Sequence, residues 1–462
     1  DITFRSLLLR SSMLRSLRLL RACVCVLIAA GSAASADEPS LSQTPAAWTT
    51  GGPREELLPK FSSSQSGGPA NAAVLSAIAD QRDGLHGWWK RTLPVQAGQW
   101  YQFSAWRRVR GAAVPRQTAV ARIFWKDKAG NAPLHDFLAQ TTYREGERPR
   151  AEPEYPGDDQ VDGEWVRTFG VFRCPEAATQ AEIELSFRWA AETTVDWSDV
   201  RLTAVAPPPA RKVRLAAVHY APAAGQNSAE KCQQFEPLVA KAAAGRADLV
   251  VLGETLTWYN AGKPAEDCAE PIPGPSTEYF GALAKQHNLY IVAGLLERDQ
   301  HKVYNVAVLL GPDGQLAGKY RKVALPRTEI DGGITPGHDY PVFETRFGRL
   351  GMMVCYDGFF PEVARGLSRN GAEVIAFPVW GCNPLLAAAR ACENHTVVVS
   401  STYTDPKANW MITGIFGRDG RILARAEQQG DVVIAEVELG RPAVWHSLGD
   451  FRAEVLRHRP ER

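Results

Sequence analysis

The chain has 462 residues, of which 45% are hydrophobic, so it is long enough for two or three domains with substantial cores. Its 52 lysine and arginine residues against 51 aspartate and glutamate residues give a net charge of +1. A nearly neutral chain has no global field that would select nucleic acid or an anionic membrane, so we predict no nucleic-acid partner.

Residues 1–36 are predicted to be an export signal, with Met13 as the expected initiator. A basic segment with arginines at positions 15, 18 and 21 leads into an apolar stretch over residues 22–30. Residues 34–36 (Ala-Ser-Ala) then form a small-x-small cleavage site before Asp37. The apolar stretch is far shorter than the ~20 residues that a membrane span needs. We therefore predict an exported protein, periplasmic or secreted.

The next segment, residues 37–70, is rich in Ser, Gly, Pro and Ala and is predicted to be a flexible lead-in. From 71 to 205, short runs alternate polar with apolar and aromatic residues, as at 99–106 and 182–189. Such alternation between turn residues is typical of strands and predicts an all-β sandwich. We expect most of its tryptophans to pack in a core. Residues 206–210 (Ala-Pro-Pro-Pro-Ala) predict a stiff linker.

Strand and helix patterns alternate after the linker, from residue 211 to 462. Apolar runs at 213–218, 247–252, 289–295 and 303–310 predict strands, and 229–244 and 278–287 have helical periodicity. Pro-Asp-Gly at 312–314 and Arg-Asp-Gly at 418–420 predict hairpin turns. The mixture predicts an α/β sandwich with a mixed sheet. The sequence contains no dinucleotide-binding glycine fingerprint.

Residues 350–365 connect an apolar strand to a helix through Cys355. Pro361 and Glu362 mark the helix start, because Pro suits the first turn and a carboxylate suits the positive end of the dipole. At such a turn, backbone N–H groups favour a thiolate or an oxyanion. A single cysteine after an apolar strand is nevertheless more often part of the core. The interpretation of Cys355 therefore depends on its partners.

Two further charged residues follow predicted strands. Glu254 follows the strand at 247–252 across one glycine, and Lys322 lies in the segment 319–326. Residues at the ends of several strands in one sheet can converge on one pocket, where α/β ligand sites usually form. Taken singly, Glu254 could be a helix cap and Lys322 a solvated charge.

In this order the three stretches resemble the nitrilase superfamily of carbon–nitrogen hydrolases. The motifs that carry the resemblance are Lys-Tyr-Arg-Lys-x-x-Leu-Pro at 319–326, Cys-Tyr-Asp-x-x-Phe-Pro-Glu at 355–362 and Ala-Arg-Ala-Cys-Glu-Asn at 389–394. The resemblance covers roughly residues 211 to 455 and implies an αββα sandwich, usually paired into a homodimer or a larger homo-oligomer.

The same resemblance implies the roles of the site residues. Cys355 would be the nucleophile, Glu254 the general base and Lys322 the cation beside the tetrahedral intermediate. Glu329 matches a second glutamate that many members keep near the site, with a plain loop carboxylate as the alternative. The N–H of Tyr356 could join Lys322 in stabilising the oxyanion. No metal and no organic cofactor is needed.

The implied reaction is hydrolysis of a non-peptide C–N bond, in an amide or N-carbamoyl compound, through a thioester that releases acid and ammonia or amine. Trp258, Tyr259 and Trp380 are predicted to line the pocket, with core packing as the alternative. Nitrile hydrolysis and N-acyl transfer on the same residues stay open. A non-catalytic surface-binding protein is the alternative from another class. Gly253 and Gly358, where the family commonly has Pro and a larger residue, leave the substrate open.

The sandwich looks like the jelly-roll, galactose-binding-like modules that are often attached to enzymes acting on glycans. It is therefore a candidate to bind a glycan or another cell-surface polymer, in addition to the small-molecule substrate of the hydrolase part.

The cysteines beyond residue 36 have no metal-ligand spacing. In an exported protein Cys232 and Cys268 are the candidate disulfide pair. Cys355 must stay unpaired, and we expect it to have a low pKa and to be alkylated fast at neutral pH.

Overall fold

The computed structural model describes residues 47–139 and 143–460. The predicted export signal lies outside these residues. The described residues before the linker form ten strands and a short α-helix: β1 (Thr49–Gly51), β2 (Lys60–Ser64), β3 (Val74–Ile78), β4 (His86–Pro94), β5 (Trp100–Arg110), α1 (Pro115–Thr118), β6 (Ala119–Lys126), β7 (Gly157–Asp162), β8 (Trp165–Arg173), β9 (Gln180–Arg188) and β10 (Thr194–Val205).

These strands form two antiparallel sheets, in the orders β1-β4-β9-β6 and β2-β3-β10-β5-β8-β7. One face of each sheet contributes to a shared core, in which Phe103, Trp125 and Trp197 are fully buried. The predicted β-sandwich and the core packing of several aromatic residues are thereby confirmed.

The predicted lead-in is wrong for the residues from 47 to 70 that the structure describes. Strand β1 pairs with β4, and β2 pairs with β3. The segment was interpreted as loose because serine and glycine dominate it, but β2 (Lys-Phe-Ser-Ser-Ser) is an edge strand with mostly exposed side chains. Small polar residues are compatible with such a strand because its backbone hydrogen bonds, and not its side chains, hold it to the sheet.

After the linker the chain alternates strands with helices. In chain order these are β11 (Lys212–His219), α2 (Ser228–Gln233), α3 (Glu236–Ala244), β12 (Leu249–Val251), α4 (Ala265–Cys268), α5 (Pro275–His287), β13 (Tyr290–Asp299), β14 (Lys302–Leu310), β15 (Leu316–Arg321), α6 (Arg327–Asp331), β16 (Val342–Thr345), β17 (Gly348–Met352), α7 (Pro361–Arg369), β18 (Val374–Pro378), α8 (Pro384–Asn394), β19 (Val397–Ser401), β20 (Gly414–Phe416), β21 (Ile422–Arg425), β22 (Asp431–Glu438), β23 (Val444–Trp445), β24 (Gly449–Asp450) and α9 (Phe451–His458).

Two six-stranded mixed sheets form this part, in the orders β15-β14-β13-β12-β11-β22 and β16-β17-β18-β19-β20-β21. The central pairs β11–β12, β12–β13, β17–β18 and β18–β19 are parallel and the other pairs are antiparallel. Residues of both sheets share one core, which also contains the apolar faces of α7 and α8. The opposite face of the first sheet packs against α3 and α5. The predicted αββα sandwich is confirmed.

One predicted helix and two predicted hairpin turns can be compared with the structure. The helix predicted over 229–244 is divided into α2 and α3, because Pro237 lies in the first turn of α3 and cannot continue a preceding helix. Both predicted hairpin turns connect antiparallel strands, β14 with β15 and β20 with β21. No helix in the described ranges is long and apolar enough to cross a membrane.

The C-terminal helix α9 returns to the N-terminal sandwich. The side chain of Arg116 donates to the backbone carbonyl of Arg457 at 2.9 Å, and that of Gln117 donates to the carbonyl of Arg459 at 2.8 Å. The two parts are therefore in direct contact as well as joined by the exposed linker at 206–210.

Candidate active site

Glu254 lies just beyond β12 and is 3% exposed. Its Oε1 accepts hydrogen bonds from Lys322 Nζ at 3.0 Å and Asn305 Nδ2 at 2.8 Å. Its Oε2 accepts from the backbone N–H of Trp380 at 2.8 Å. The next residue, Thr255, has a φ of +43°, so the chain turns sharply as it leaves the strand. These three donors fix the orientation of the carboxylate.

Lys322 follows directly after β15, and it is buried rather than solvated. Its Nζ lies 3.0 Å from Glu254 Oε1 and 2.6 Å from Glu329 Oε1. Burial alone would lower the pKa of this lysine, but the negative charges beside it, the Glu254 carboxylate above all and also Glu329, make the net shift of the pKa upward. Lys322 is therefore a fixed ammonium ion between two carboxylates.

Glu329, on α6, is the second of these carboxylates. Its Oε1 also accepts from Asn305 Nδ2 at 3.2 Å. Burial raises the pKa of Glu329, although Lys322 works in the opposite direction. The other oxygen, Oε2, is buried and has no hydrogen-bond partner among the described residues. The interpretation of Glu329 as an ordinary loop carboxylate is therefore wrong.

Cys355 lies at the turn between β17 and α7, where residues 355–359 form a 3₁₀ helix. It has a φ of +46°, a left-handed conformation that is uncommon for a residue with a side chain. The residue is 7% exposed, and its Sγ donates to the carbonyl of Gly381 at 3.4 Å. The turn thus holds the thiol at the junction of strand and helix, as the sequence pattern predicted.

The expectation of a low pKa for Cys355 is wrong. Burial raises the pKa of the thiol, and the adjacent Glu254 carboxylate raises it further, which outweighs the opposing effect of Lys322. The thiol is therefore protonated at neutral pH in the substrate-free site, and a base must accept its proton during attack.

Asp357 connects the two sequence motifs that contain Lys322 and Cys355. Its Oδ2 accepts from the hydroxyl of Tyr320 at 2.7 Å and from the N–H of Val354 at 2.8 Å. Its Oδ1 accepts from the N–H of Ala324 at 2.8 Å. Asp357 is fully buried, and burial raises its pKa to about 6. Asp357 belongs to the motif at 355–362, but the motif alone predicted no role for it.

The site is assembled from two sheets, and the expectation that its residues lie at the ends of strands in one sheet is wrong. Glu254 and Lys322 leave strands of the first sheet, whereas Cys355 and Trp380 follow strands of the second. The facing sheets therefore bring the thiol to the ion pair. Asn305, which binds both glutamates, was not predicted, although a polar residue inside the apolar run 303–310 was a usable signal.

The four aromatic residues predicted near the site have different surroundings. Tyr259 packs against Tyr403 with ring centroids 4.4 Å apart, and Tyr356 lies beside Phe359, 5.3 Å away. Trp380 contributes its backbone N–H to Glu254, while its side chain is 54% exposed.

Trp258, in contrast, is partly buried against a small apolar cluster that contains Cys268, and its indole N–H donates to the carbonyl of Lys263 at 2.8 Å. This packing corresponds to the core alternative rather than to a pocket wall.

The predicted disulfide is wrong. Cys232 and Cys268 are both free and buried, and they belong to different apolar clusters. Cys232 Sγ instead donates to Ser276 Oγ at 3.5 Å. Within the described ranges, no group of three or more His, Cys, Asp or Glu side chains could hold a metal ion.

Comparisons with known proteins concern the second half of the chain. Residues 214–447 match the family described as carbon-nitrogen hydrolase. The chain is 31% identical over 276 residues to an omega-amidase NIT2 of Xenopus tropicalis, which covers 54% of this chain and 95% of that protein. It is 36% identical over 216 residues to a nitrilase of Pyrococcus abyssi, covering 44% of this chain and 82% of that protein.

Two solved structures are also similar. Nit3 of Saccharomyces cerevisiae, a member of the nitrilase superfamily, is 24% identical with a TM-score of 0.43, covering 49% of this chain and 90% of Nit3. An amidase from Nesterenkonia sp. is 20% identical with a TM-score of 0.44, covering 49% of this chain and 90% of the amidase.

Proposed function

The chain belongs to the carbon-nitrogen hydrolase family, and from this premise we propose that it hydrolyses an amide through a thioester on Cys355. The observation that supports the proposal most directly is the buried cluster of Cys355, Glu254 and Lys322, none of them more than 7% exposed. It combines a nucleophile, a base and a cation in a site of low dielectric, where electrostatic interactions with a reacting group are strong.

In the first half-reaction Cys355 Sγ attacks the amide carbonyl carbon while Glu254 takes the thiol proton. The negative charge that develops on the carbonyl oxygen is stabilised by the Lys322 ammonium, with the N–H of Tyr356 as a second donor. The tetrahedral intermediate then collapses, and Glu254 returns the proton to the leaving nitrogen. The C–N bond breaks, ammonia departs and a thioester remains.

In the second half-reaction water replaces ammonia. Glu254 takes a proton from a water molecule while the water oxygen attacks the thioester carbonyl carbon. The C–S bond breaks, the sulfur is reprotonated from Glu254, and the acid leaves.

Glu329 Oε2, a buried acceptor without a partner among the described residues, is suited to accept a hydrogen bond from the amide N–H₂ of the bound substrate.

The relatives favour an amide over the other substrates. Several of them carry the name omega-amidase, and the sequence here is Cys-Tyr-Asp rather than the Cys-Trp-Glu often associated with nitrile hydrolysis. Nitrile hydrolysis and N-acyl transfer use the same three residues, so the experiment must distinguish all three reactions.

Intact-mass measurement after brief incubation with a panel of primary amides, ureido acids and nitriles tests the proposal. We expect the wild type to gain the mass of the acyl group, and Glu254→Gln to accumulate any adduct that it forms because deacylation also needs the base. Cys355→Ala should gain nothing. Acid and ammonia should appear in the wild-type reaction. If no amide yields an adduct or an acid, the proposal is wrong, whereas products from nitriles alone would identify a nitrilase.

We further propose that the N-terminal sandwich binds a glycan. Trp100 and Trp106 are half-buried and alternate along β5 with the buried residues Tyr101, Phe103 and Ala105, so they face away from the core. The four-stranded sheet has less free surface because Ser186 and Arg188 on its outer face are buried. Affinity electrophoresis in soluble polysaccharides should retard the wild type more than Trp106→Ala. Equal mobility of the two proteins in every gel would contradict the proposal.

We also propose that the protein is exported and self-associates. Export is supported by the basic and apolar pattern before residue 37, and the mass of the secreted chain should show cleavage before Asp37. Self-association is supported by the family resemblance, and light scattering should give at least twice the mass of one chain.

A further inference from the structure

Partly exposed aromatic side chains surround the proposed nucleophile on the side of the second sheet. We call this set the aromatic rim; its members are Tyr356, Phe359, Phe360, Trp380 and Trp410. Phe360 and Trp410 are each 39% exposed and Trp380 is 54% exposed. Soluble proteins rarely expose several large aromatic residues together unless the surface binds something.

Four of the five rim rings form a connected series, and Trp380 is tied to the site through its backbone. Tyr356 lies 5.3 Å from both Phe359 and Phe360, measured between ring centroids, and Phe359 lies 6.0 Å from Trp410. Trp380 is joined to the site through its N–H, which donates to Glu254. The hydroxyl of Thr402 holds the Trp380 carbonyl at 2.8 Å.

One residue, Gly381, lies between the Trp410 indole and the Cys355 sulfur. The Gly381 carbonyl accepts from Cys355 Sγ, and the Trp410 indole lies directly against the Gly381 backbone. A Cβ at position 381 would be 1.8 Å from Trp410 Nε1, so only glycine permits this contact. The backbone N–H of Cys382 also donates to the Trp410 carbonyl at 3.1 Å. The indole is therefore held in place next to the nucleophile.

The chemistry of the rim restricts what can bind there. All five side chains are uncharged, and the nearby Lys322 ammonium is already shared by Glu254 and Glu329. The Arg390 guanidinium, which donates to the Phe359 carbonyl at 3.3 Å, is paired with Glu393 at 3.1 Å. A substrate carboxylate placed against the rim rings would lose hydration to an apolar surface, whereas an apolar or aryl group would gain contact area. If the substrate is a primary amide, its leaving group is ammonia, so only the acyl group is long enough to reach the rim.

We propose that the aromatic rim selects amides with an uncharged apolar or aromatic acyl group, with Trp410 as a specificity-determining residue. This inference rests on the proposed amidase function of the same site. It assigns the substrate class, which the family alone does not.

Three primary amides test it: phenylacetamide, the carboxylated succinamate, and propionamide, which is too short to cover the rim. For the wild type we expect kcat/KM to be at least about tenfold higher for phenylacetamide than for succinamate. Trp410→Ala should lower kcat/KM for phenylacetamide by about 10–100-fold and for propionamide by less than about threefold, because only the larger acyl group loses a contact.

Two further variants serve as checks. Gly381→Ala should reproduce the selectivity change of Trp410→Ala, since the new methyl group displaces the indole. Trp189→Ala in the sandwich is the matched control, because Trp189 is also 54% exposed, and it should leave all three values unchanged. The ratio of two substrates on one variant does not depend on the active fraction, so partial misfolding does not obscure the result.

The outcomes separate this inference from the function on which it rests. If none of the amides is hydrolysed and none acylates Cys355, both fail. If propionamide is hydrolysed but succinamate is preferred over phenylacetamide, the function stands and the inference is overturned. It is also overturned if Trp410→Ala leaves the substrate ratios unchanged. If that variant also has a lower mass in light scattering, the rim is a contact between copies of the chain.

Discussion

The two halves of the molecule differ in whether tryptophan packs their cores. In the sandwich Trp89, Trp125 and Trp197 are at most 7% exposed and belong to the core between the sheets. In the hydrolase half the shared core is mostly aliphatic, while Trp380 and Trp410 are exposed beside the thiol. The core between the hydrolase sheets contains no tryptophan among the described residues, and the exposed rings of Trp380 and Trp410 are available for contacts with a ligand.

Two buried polar clusters, one in each half, differ in how completely their carboxylates are paired. In the sandwich Asp196 accepts from Ser76 at 2.6 Å and pairs with Arg108 at 2.9 Å and Arg110 at 3.0 Å, so its carboxylate is fully engaged. In the hydrolase half Glu329 Oε2 and Asn305 Oδ1 have no hydrogen-bond partner among the described residues. An unsatisfied buried polar group costs about 1–3 kcal/mol. The sandwich cluster therefore stabilises, and the hydrolase cluster carries a cost that a substrate can offset.

The largest expected effect is the loss of kcat on removing the Cys355 thiol, compared with removing the thiol of Cys382. Cys355→Ala should lower kcat by about 10⁴–10⁶-fold, because no other group can form the thioester. Cys382→Ala is the matched control, since the Cys382 side chain is also free and buried but packs in the core, and its contact with Trp410 is made by the backbone N–H, which alanine keeps. It should reduce stability while keeping kcat within about threefold. Steady-state ammonia release measures both, and comparable losses in the two variants would contradict the assignment.

Removing the cation should affect both activity and stability. Lys322→Met leaves Glu254 and Glu329 buried without their ammonium partner, and breaking a buried pair in this way costs about 3–5 kcal/mol. We expect kcat to fall by about 10²–10³-fold as well, because a donor to the oxyanion is lost.

The sandwich counterpart of this variant is Asp196→Asn. It should destabilise the protein while leaving kcat unchanged at temperatures where the chain stays folded. Denaturant unfolding and ammonia release on the same samples provide the comparison. A large kcat loss in Asp196→Asn would show that the two clusters are not independent.

Replacing a core tryptophan and replacing a rim tryptophan should also have different effects, the first on stability and the second on substrate selectivity. Trp125 is fully buried, so Trp125→Ala should cost about 3–5 kcal/mol through lost contacts and a cavity. Its kcat/KM should be unchanged for every amide. Trp410→Ala is expected to change selectivity with little loss of stability, since its side chain is partly exposed. A reversal of these effects, seen in urea denaturation and substrate ratios, would contradict the division of roles.

Parts of this arrangement were predictable from sequence because they are local. The apolar runs predicted most hydrolase strands, and two short motifs identified Lys322 and Cys355. The pairing of sheets, in contrast, depends on contacts between residues far apart in the chain. The role of Trp410 could not be predicted, because its contact with Gly381 is made by a loop that no local pattern distinguishes.

Two errors have the same physical origin. The pKa of Cys355 was predicted to be low from its position at a helix start, but burial between two sheets and the Glu254 carboxylate raise it. The disulfide of Cys232 and Cys268 was inferred from cellular location, which says nothing about distance. Electrostatic and covalent properties depend on the whole environment of a side chain, and that environment appears only once the sheets are assembled.

The smallest expected effect concerns Asp357, whose pKa is raised to about 6 by burial. All three of its partners are donors in the structure, so only the carboxylate satisfies them together. Protonation as the pH falls through about 6 turns one of the carboxylate oxygens from an acceptor into a donor and should change the geometry of the turn that holds Cys355. We therefore expect kcat/KM to decline below pH 6 in the wild type, and Asp357→Asn to lose this part of the pH profile while reducing kcat about tenfold.

The free energy of unfolding should change with pH in the opposite direction to kcat/KM: the titration of Asp357 raises it as the pH falls. The pKa of Asp357 in the folded chain lies above its usual value of 3.8, so the folded state binds more protons than the unfolded state between about pH 4 and pH 6. Its contribution to the free energy of unfolding is thus present below pH 4 and is lost, by about 2–3 kcal/mol, as the pH rises through 6. Asp357→Asn cannot titrate, so the difference in unfolding free energy between the two proteins should change over this window. If that difference is constant from pH 4 to pH 7, another group controls the acid limb of activity, and Asp357 acts only through its geometry.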